Sequence, residues 1–407
     1  MDILTGPCWT IYIGDVRDGL ARLQPGSVHA AVTSPPYWRL RDYGVAGQLG
    51  MEATPMEYVD NLASIFLQLA GVLRMDGVLW VNLGDTYIGK GGGGAGGSYG
   101  SERRAYRDRT VRTGSVGGLK TGELALVPER FSIAMQSTGW WLRSRITWHK
   151  RNAMPESAPE RCGRDDEPLF MLSAGRKHYF DRLGVTFPAS PNTHSRGHGL
   201  NPKAKQWDEK LDRSNARFRR HVNGMMSVRR CRTTWDIPTT PYRGAHFAAF
   251  PPALPERCLR LTTSRAGCCP ICGSPLRRMV HSVRKPTRPG NATKLIGDAA
   301  DSSVSGNRDP ERHVTEYVTT GWQPTCRCVT DMNHGYAPPV VLDPFGGVLT
   351  TGIAALRLGC RFVACELNPE YAQAGHERLL AEWSQLQANA QRDRRPQQIL
   401  LFEESEE

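Results

Sequence analysis

Residues 338–367 read PPVVLDPFGGVLTTGIAALRLGCRFVACEL. The run 340–342 is wholly apolar and ends in Asp343, so it reads as a strand buried on both faces. Residues 350–359, TTGIAALRLG, follow as a helix stopped by Gly359. RFVACEL (361–367) is a second strand, and PEYAQAGHERLLAEWSQLQ (369–387) a second helix. Such a β-α-β-α unit belongs to a parallel α/β sheet. Small ligands bind at the carboxyl ends of strands in such sheets. Asp343 and Glu366 each close a strand, and an acid at the end of the second can accept hydrogen bonds from a ribose. The unit therefore predicts a nucleoside-containing cofactor. A dinucleotide fingerprint requires G-x-G-x-x-G, which DPFGGVLTTG lacks, and this disfavours a nicotinamide enzyme.

Working back towards the N-terminus, the same alternation recurs. TIYIGD (10–15), HAAVTS (29–34) and DGVLWVNLGD (76–85) read as strands, with helical spacing in 16–26 and 57–73. WWLRSRITWHK (140–150) and LFMLSAGRKHYFD (169–181) read as further strands of one sheet. GKGGGGAGGSYG (89–100) is low-complexity and is read as a loop, because it lacks the spacing of a phosphate-binding loop.

The chain has 407 residues, 39% hydrophobic and 23% charged, enough for two or three domains. No apolar run reaches the roughly 18–20 residues of a membrane span. The start, MDILTGPCWTIYIGD, lacks the features of a secretory signal, so the expected location is the cytoplasm, with nucleoid association. The formal charge of +12 favours a polyanionic partner. Between 201 and 230, nine Lys or Arg face three Asp or Glu, with Trp207, Phe218 and His221 interleaved. Arg217, Arg219, Arg220, Arg229 and Arg230, with Lys150, are the candidate contacts to DNA.

Residues 33–38 read TSPPYW. Two adjacent prolines cannot serve a strand ladder, so this is a stiff loop at a strand's end. TSPPYW followed much later by VVLDPFGG and ACELNPEY resembles the site-specific DNA amino-methyltransferases, the S-adenosylmethionine-dependent N4-cytosine and N6-adenine DNA methylases. The catalytic loop precedes the cofactor loop, which is the order of that family's beta group. WHKRNAMPES (148–157) and GAHFAAFPPAL (244–254) also resemble family segments in their expected order.

The resemblance implies an α/β, Rossmann-like sheet of seven strands in permuted order, with an inserted DNA-recognition region; the cysteine pairs at 269–272 and 326–328 add a small zinc ribbon. The expected divisions are a catalytic half (1–184, with a Gly-rich loop at 89–120), a target-recognition region (185–235) and a pocket-closing segment (236–267). A zinc-ribbon-like insert (268–335), a cofactor half (336–390) and a tail (391–407) follow. Asp343 and Phe345, with Gly347 and Thr350, would line the cofactor pocket. Glu366, beside Asn368, would hold the ribose, and Asp15 would approach the adenine. His246, Phe247 and Phe250 would close over the methionine end. The partner would be double-stranded DNA, with a cognate restriction endonuclease as a candidate second partner.

The opening loop has its own chemistry. An exocyclic amino nitrogen is a poor nucleophile because its lone pair is delocalised into the base. Two acceptors for its hydrogens favour a pyramidal nitrogen. Ser34 Oγ and the Pro35 carbonyl can supply them, held by Pro36, which is preorganised electrostatic catalysis. Tyr37 offers a stacking ring for a flipped base. In the family a serine before the prolines goes with cytosine N4 and an aspartate with adenine N6. Ser34 therefore favours N4, with adenine N6 and a catalytically inactive DNA-binding homologue as alternatives. Methylation at C5 needs a thiolate, and Cys8 lacks the rest of that pattern.

Two features stand apart. Cys269-x-x-Cys272 and Cys326-x-Cys328 suit tetrahedral structural zinc. Val348-Leu349 replaces the Ser-Gly usual in the family's GSGTT, at a place where the backbone is expected to need positive φ.

Overall fold

The computed structural model describes residues 1–88, 116–156, 158–188, 225–226, 228–240, 250–286, 313–328 and 336–393. The chain forms two compact units. The first comprises Met1–Phe180, Arg232–Pro275 and Cys326–Glu407; the second comprises Asp181–Cys231 and Leu276–Thr325.

In the first unit, β1 (Asp2–Thr5), β2 (Trp9–Ile13), β3 (Val28–Thr33), β4 (Leu73–Asn82), β5 (Trp141–His149) and β6 (Asp166–Ser173) precede the insertion. In the second unit lie β7 (Thr186–Pro188), β8 (Met225–Met226) and β9 (Val228–Arg230). β10 (Thr234–Asp236) returns to the first unit, β11 (Arg277–Pro286) and β12 (His313–Gln323) form a hairpin in the second, and β13 (Val340–Asp343) and β14 (Arg361–Glu366) complete the first. The helices of the first unit are α1 (Val16–Leu20), α2 (Pro55–Val72), α3 (Val127–Ser137), α4 (Ala253–Thr262), α5 (Thr350–Arg357) and α6 (Pro369–Asp393).

The main sheet runs β1-β2-β14-β13-β3-β4-β6-β5-β10. It has nine strands where the resemblance implied seven. The additional two are edges: β1 folds back antiparallel on β2, and three residues of β10 add in parallel to β5. Neither carries a hydrophobic run long enough to announce itself. Strands β2, β14, β13, β3 and β4 are mutually parallel, and β6 and β5 add antiparallel.

Local chemistry explains the frame. Helix α2 begins with Thr54 and Glu57 capping one another's backbone and Pro55 in its first turn. It buries Tyr58, Leu62, Ile65, Phe66 and Leu69. Phe66 meets Phe131 at 5.7 Å and Phe345 at 6.3 Å between ring centres, tying the core to the loop after β13. On the other side, Trp80 Nε1 donates to Thr262 Oγ1 at 3.1 Å and its ring meets Trp235. Strand β3 and the end of β13 are buried, as their unbroken apolar runs require.

The second unit differs from the expected divisions. The insert expected at 268–335 contains the ten-pair β11–β12 ladder. That hairpin groups with 181–231 rather than with the cysteines, and β12 pairs in parallel with β8. Its polar residues fall without a period and leave no apolar stripe to read.

Candidate active site

A cavity of ≈ 570 Å³ opens at the carboxyl ends of the parallel strands. Asp15, Ser34, Pro35, Pro36, Tyr37, Lys150, Phe250, Asp343, Phe345, Gly347, Thr350, Glu366 and Asn368 all line it. His246, Phe247, Arg217, Arg219 and Arg220 lie outside the described residues. Arg229 and Arg230 are exposed on β9, in the second unit.

The loop after β3 is braced from several sides. Tyr58 Oη donates to the Pro36 carbonyl at 2.6 Å. Trp38 is buried, with Nε1 donating to the Glu52 carbonyl at 3.0 Å. Thr33 is fully buried and donates to Asp343 Oδ1 at 2.7 Å. Thr351 donates to Asp343 Oδ2 at 2.7 Å, and the Phe345 amide donates to Oδ1 at 3.1 Å. Burial pushes the Asp343 carboxyl up to about 7, against these hydrogen bonds and with the Glu366 charge adding to the rise. Asp343 is only 2% exposed. Its carboxyl therefore acts inward, joining the loops after β3 and β13, rather than as an open ligand.

Glu366 ends β14. Its Oε2 accepts from the Gly347 amide at 2.6 Å and its Oε1 from the Asn368 amide at 2.8 Å. Burial raises this carboxyl, opposed by those amides. A carboxylate has about four acceptor sites, so with the Leu367 amide also engaged one remains for a donor in the cavity. Asp15 caps α1, accepting from the Arg17 amide at 2.7 Å. The Val348-Leu349 departure is resolved in the backbone: Leu349 takes φ 59 and ψ 39, the left-handed conformation expected at that position.

Tyr37 has one ring edge against Gly84, where a Cβ would lie 2.3 Å from the ring. Its hydroxyl donates to Glu167 Oε2 at 2.8 Å, with Asn82 Oδ1 at 3.0 Å. Ser34 Oγ donates to the Tyr37 oxygen at 3.3 Å. Desolvation first, and the Glu167 charge second, hold the phenol well above its ordinary value. Glu167 also accepts from Asn82 Nδ2 at 3.0 Å and from Lys150 Nζ. Lys150, a candidate contact to DNA, lies in the pocket wall over the Trp148 ring. Thr33, Asn82 and Glu167 escaped the sequence reading. Asn82 stands at the end of a strand that was read, but nothing in the neighbourhood of Glu167 distinguishes it from surface acids.

This cavity combines a Ser-Pro-Pro-Tyr loop with an acid-terminated pair of parallel strands. Residues 28–269, more than half the chain, match the N6/N4 family model described as DNA methylase. The chain belongs to the DNA methylase family. The methylase is 31% identical over 379 residues to the type II methyltransferase M.SmaI of Serratia marcescens, covering 91% of this chain and 90% of that one. It is 36% identical over 373 residues to the type II methyltransferase M.Cfr9I of Citrobacter freundii, covering 92% and 88%. The methylase is thus an S-adenosylmethionine-dependent DNA methyltransferase of the N4/N6 class, with an α/β fold built on a mostly parallel sheet.

A second cluster lies elsewhere in the first unit of the methylase. The sulfurs of Cys269, Cys272, Cys326 and Cys328 lie within 4.8 Å of one another. Four sulfurs about 2.3 Å from a tetrahedral zinc are about 3.8 Å apart, so the donor set fits that ion. The Gly273 amide donates to the Cys269 carbonyl at 2.8 Å, closing a knuckle-like turn between Cys269 and Cys272.

Proposed function

We propose that the methylase transfers the methyl group of S-adenosylmethionine to the N4 amino group of a cytosine flipped out of double-stranded DNA. The observation that carries this reading is the hydrogen-bond chain Ser34–Tyr37–Glu167 beside the cofactor loop. A carboxylate accepts only, so Glu167 orients the Tyr37 proton towards itself. The Ser34 proton then points to Tyr37, leaving Oγ lone pairs free for the amino hydrogens. Ser34 and the Pro35 carbonyl favour the pyramidal nitrogen, whose lone pair attacks the sulfonium methyl in line. The base nitrogen–methyl bond forms as the sulfur–methyl bond breaks, the sulfur pair leaving as the thioether, and the amino proton then passes to water. S-adenosylmethionine supplies the electrophilic methyl; Glu366 would hold its ribose and Phe345 and Phe250 its apolar surfaces. The serine at position 34 supports cytosine over adenine.

The four thiolates would hold a structural zinc, and the second unit would supply contacts to duplex DNA. Mass spectrometry of nucleosides from DNA treated with the methylase and labelled S-adenosylmethionine tests the base. N4-methylcytosine is expected. N6-methyladenine in its place overturns the cytosine assignment, and cofactor binding without DNA label supports an inactive homologue.

A further inference from the structure

The four cysteines sit at the two ends of one hairpin. Cys269 and Cys272 come just before β11, and Cys326 and Cys328 just after β12. The ladder between them starts at Arg277 paired with Gln323 and runs to Pro286 paired with His313. Among the side chains described in β11 and β12, none is buried. The described part of the ladder thus has no apolar core of its own, and what holds it includes the two residues of β8 and the Arg278 donation to Asp181 at 2.7 Å; a hairpin so lightly supported is marginal in water. Its root is where a cross-link has most effect.

Within the first unit, the knuckle is fastened to the amino ends of the sheet strands. His29, near the start of β3, accepts from the Val340 amide at Nδ1, so Nε2 carries the proton and donates to the Gly273 carbonyl at 2.9 Å. Arg74, at the start of β4, donates to the Cys272 carbonyl at 2.6 Å. Cys268 and Ala337 exchange backbone hydrogen bonds of 2.8 and 2.9 Å just before β13. Ser34, Asn82 and Asp343 lie at the opposite, carboxyl ends of these strands. Strands of about six residues separate the two ends by about 20 Å. The thiolates are therefore too far from the cavity to take part in methyl transfer or cofactor binding.

The hairpin itself is basic. The sequence of β11 is RRMVHSVRKP, with four Lys or Arg and no acid. Through β12 it pairs with β8, which directly follows the basic segment 201–220 and its neighbours in the chain. Cations held in a fixed array release counterions from duplex DNA together; a frayed hairpin disperses them.

We propose that zinc held by Cys269, Cys272, Cys326 and Cys328 clasps the root of the β11–β12 hairpin, and that its occupancy sets duplex affinity without altering the cofactor pocket. This rests on the structural-zinc reading above. The ion takes no part in the chemistry; it joins the two chain segments that lead into and out of the hairpin.

The test uses the full-length chain with its metal content measured, before and after removal of metal by a chelator under reducing conditions. Three quantities are followed: S-adenosylmethionine affinity by calorimetry, amide exchange across 277–286 and 313–323, and affinity for a labelled mixed-sequence duplex. Removal of zinc is expected to speed exchange in both strands and weaken duplex binding about tenfold, reversed by added zinc, with cofactor affinity unchanged. A Cys326→Ser/Cys328→Ser double variant is expected to behave like the metal-free chain, its cofactor affinity reporting a folded first unit. Absence of zinc from the purified chain, with none taken up on titration, overturns the zinc reading and the clasp with it. Zinc present, but exchange and duplex affinity indifferent to its removal, overturns the clasp alone. Loss of cofactor affinity together with duplex affinity also overturns it, since the metal would then support the whole first unit.

Discussion

Thr33 donates to Asp343 at 2.7 Å across 310 positions of sequence. One residue begins the Ser-Pro-Pro loop and the other ends the first cofactor strand, so this bond fixes the acceptors for the target amino group against the pocket for the methyl donor. Both partners are buried, and Thr351 completes the carboxyl's partners from α5. Thr33→Val keeps the shape and removes the donor. Above about pH 7, where the carboxyl is ionised, a hydrogen bond to this charged group contributes about 1.5–3 kcal/mol, and that is the expected loss of unfolding free energy in urea. Thr33→Ser should retain most of it. Equal stability of the valine variant and the wild type would show that the bond joins nothing of consequence.

Asp343 also sets a pH dependence. Burial raises its folded value to about 7, whereas the unfolded chain titrates near 3.8. The folded state thus binds the extra proton between these values, and its contribution to stability is full below pH 3.8 and declines as pH rises to 7. Asp343→Asn has no such proton. The stability difference, wild type minus variant, should therefore fall steadily from pH 4 to pH 7 in chemical unfolding, and a difference that rises over this range would contradict the assignment.

The legible part of this molecule is the part where one chemical need sets residue type and spacing together. Strands covered on both faces must be apolar throughout, so β3, β13 and β14 were visible as runs, and their ends marked the cavity. The prolines at 35 and 36 announced a fixed loop. Asn82 and Glu167 were not visible as a pair, because they meet only through the antiparallel pairing of β4 with β6. The hairpin β11–β12 was hidden for a different reason. With no buried face among its described side chains, it has no alternation for a reader to find. The clustering of four cysteines was legible because thiolate ligation constrains spacing at both ends, while the separation of hairpin and cysteines into different units was not.

Leu349 is one of three non-glycine residues with positive φ among the described residues, and Gly375 shows what its side chain gains there. A left-handed leucine costs roughly 1–2 kcal/mol. Its side chain is fully buried and occupies the space of the missing Cβ at Gly375, which would lie 2.5 Å from Leu349 Cγ. Leu349→Gly relieves the backbone but removes a buried side chain, a loss of about 2–5 kcal/mol, so a net fall in thermal stability is expected. Gly375→Ala should destabilise by about 1–3 kcal/mol through overpacking against the same side chain. If Leu349→Gly proves more stable than the parent, the leucine is strain without compensation.

Ser34 and Tyr37 can be separated by what each loses. Ser34→Ala removes an acceptor for the amino group, and about a hundredfold fall in kcat is expected with S-adenosylmethionine affinity unchanged. Tyr37→Phe keeps a ring in the pocket but severs the link from Ser34 to Glu167, so kcat should fall less, with KM for DNA nearly unchanged. Single-turnover methyl transfer, with cofactor affinity measured in parallel, distinguishes these outcomes from misfolding. Full activity of Ser34→Ala would remove the hydroxyl from the mechanism.

Glu167 gives the sharpest test because a near-isosteric change should reverse the direction of a proton chain. The carboxylate accepts from Tyr37, Asn82 and Lys150 and has no proton to give. In Glu167→Gln, the amide can donate to the Tyr37 oxygen or the Asn82 carbonyl. Tyr37 is then free to donate towards Ser34, which turns an Oγ lone pair away from the substrate amino group. The Lys150 ammonium, only 20% exposed, also loses its counter-charge. The expected result is a fall in kcat of about ten- to a hundredfold at unchanged cofactor affinity. Glu167→Asp keeps an acceptor and should recover part of the rate. Stopped-flow methyl transfer measures both, and a Gln variant with the wild-type rate would show that Glu167 only packs the pocket wall.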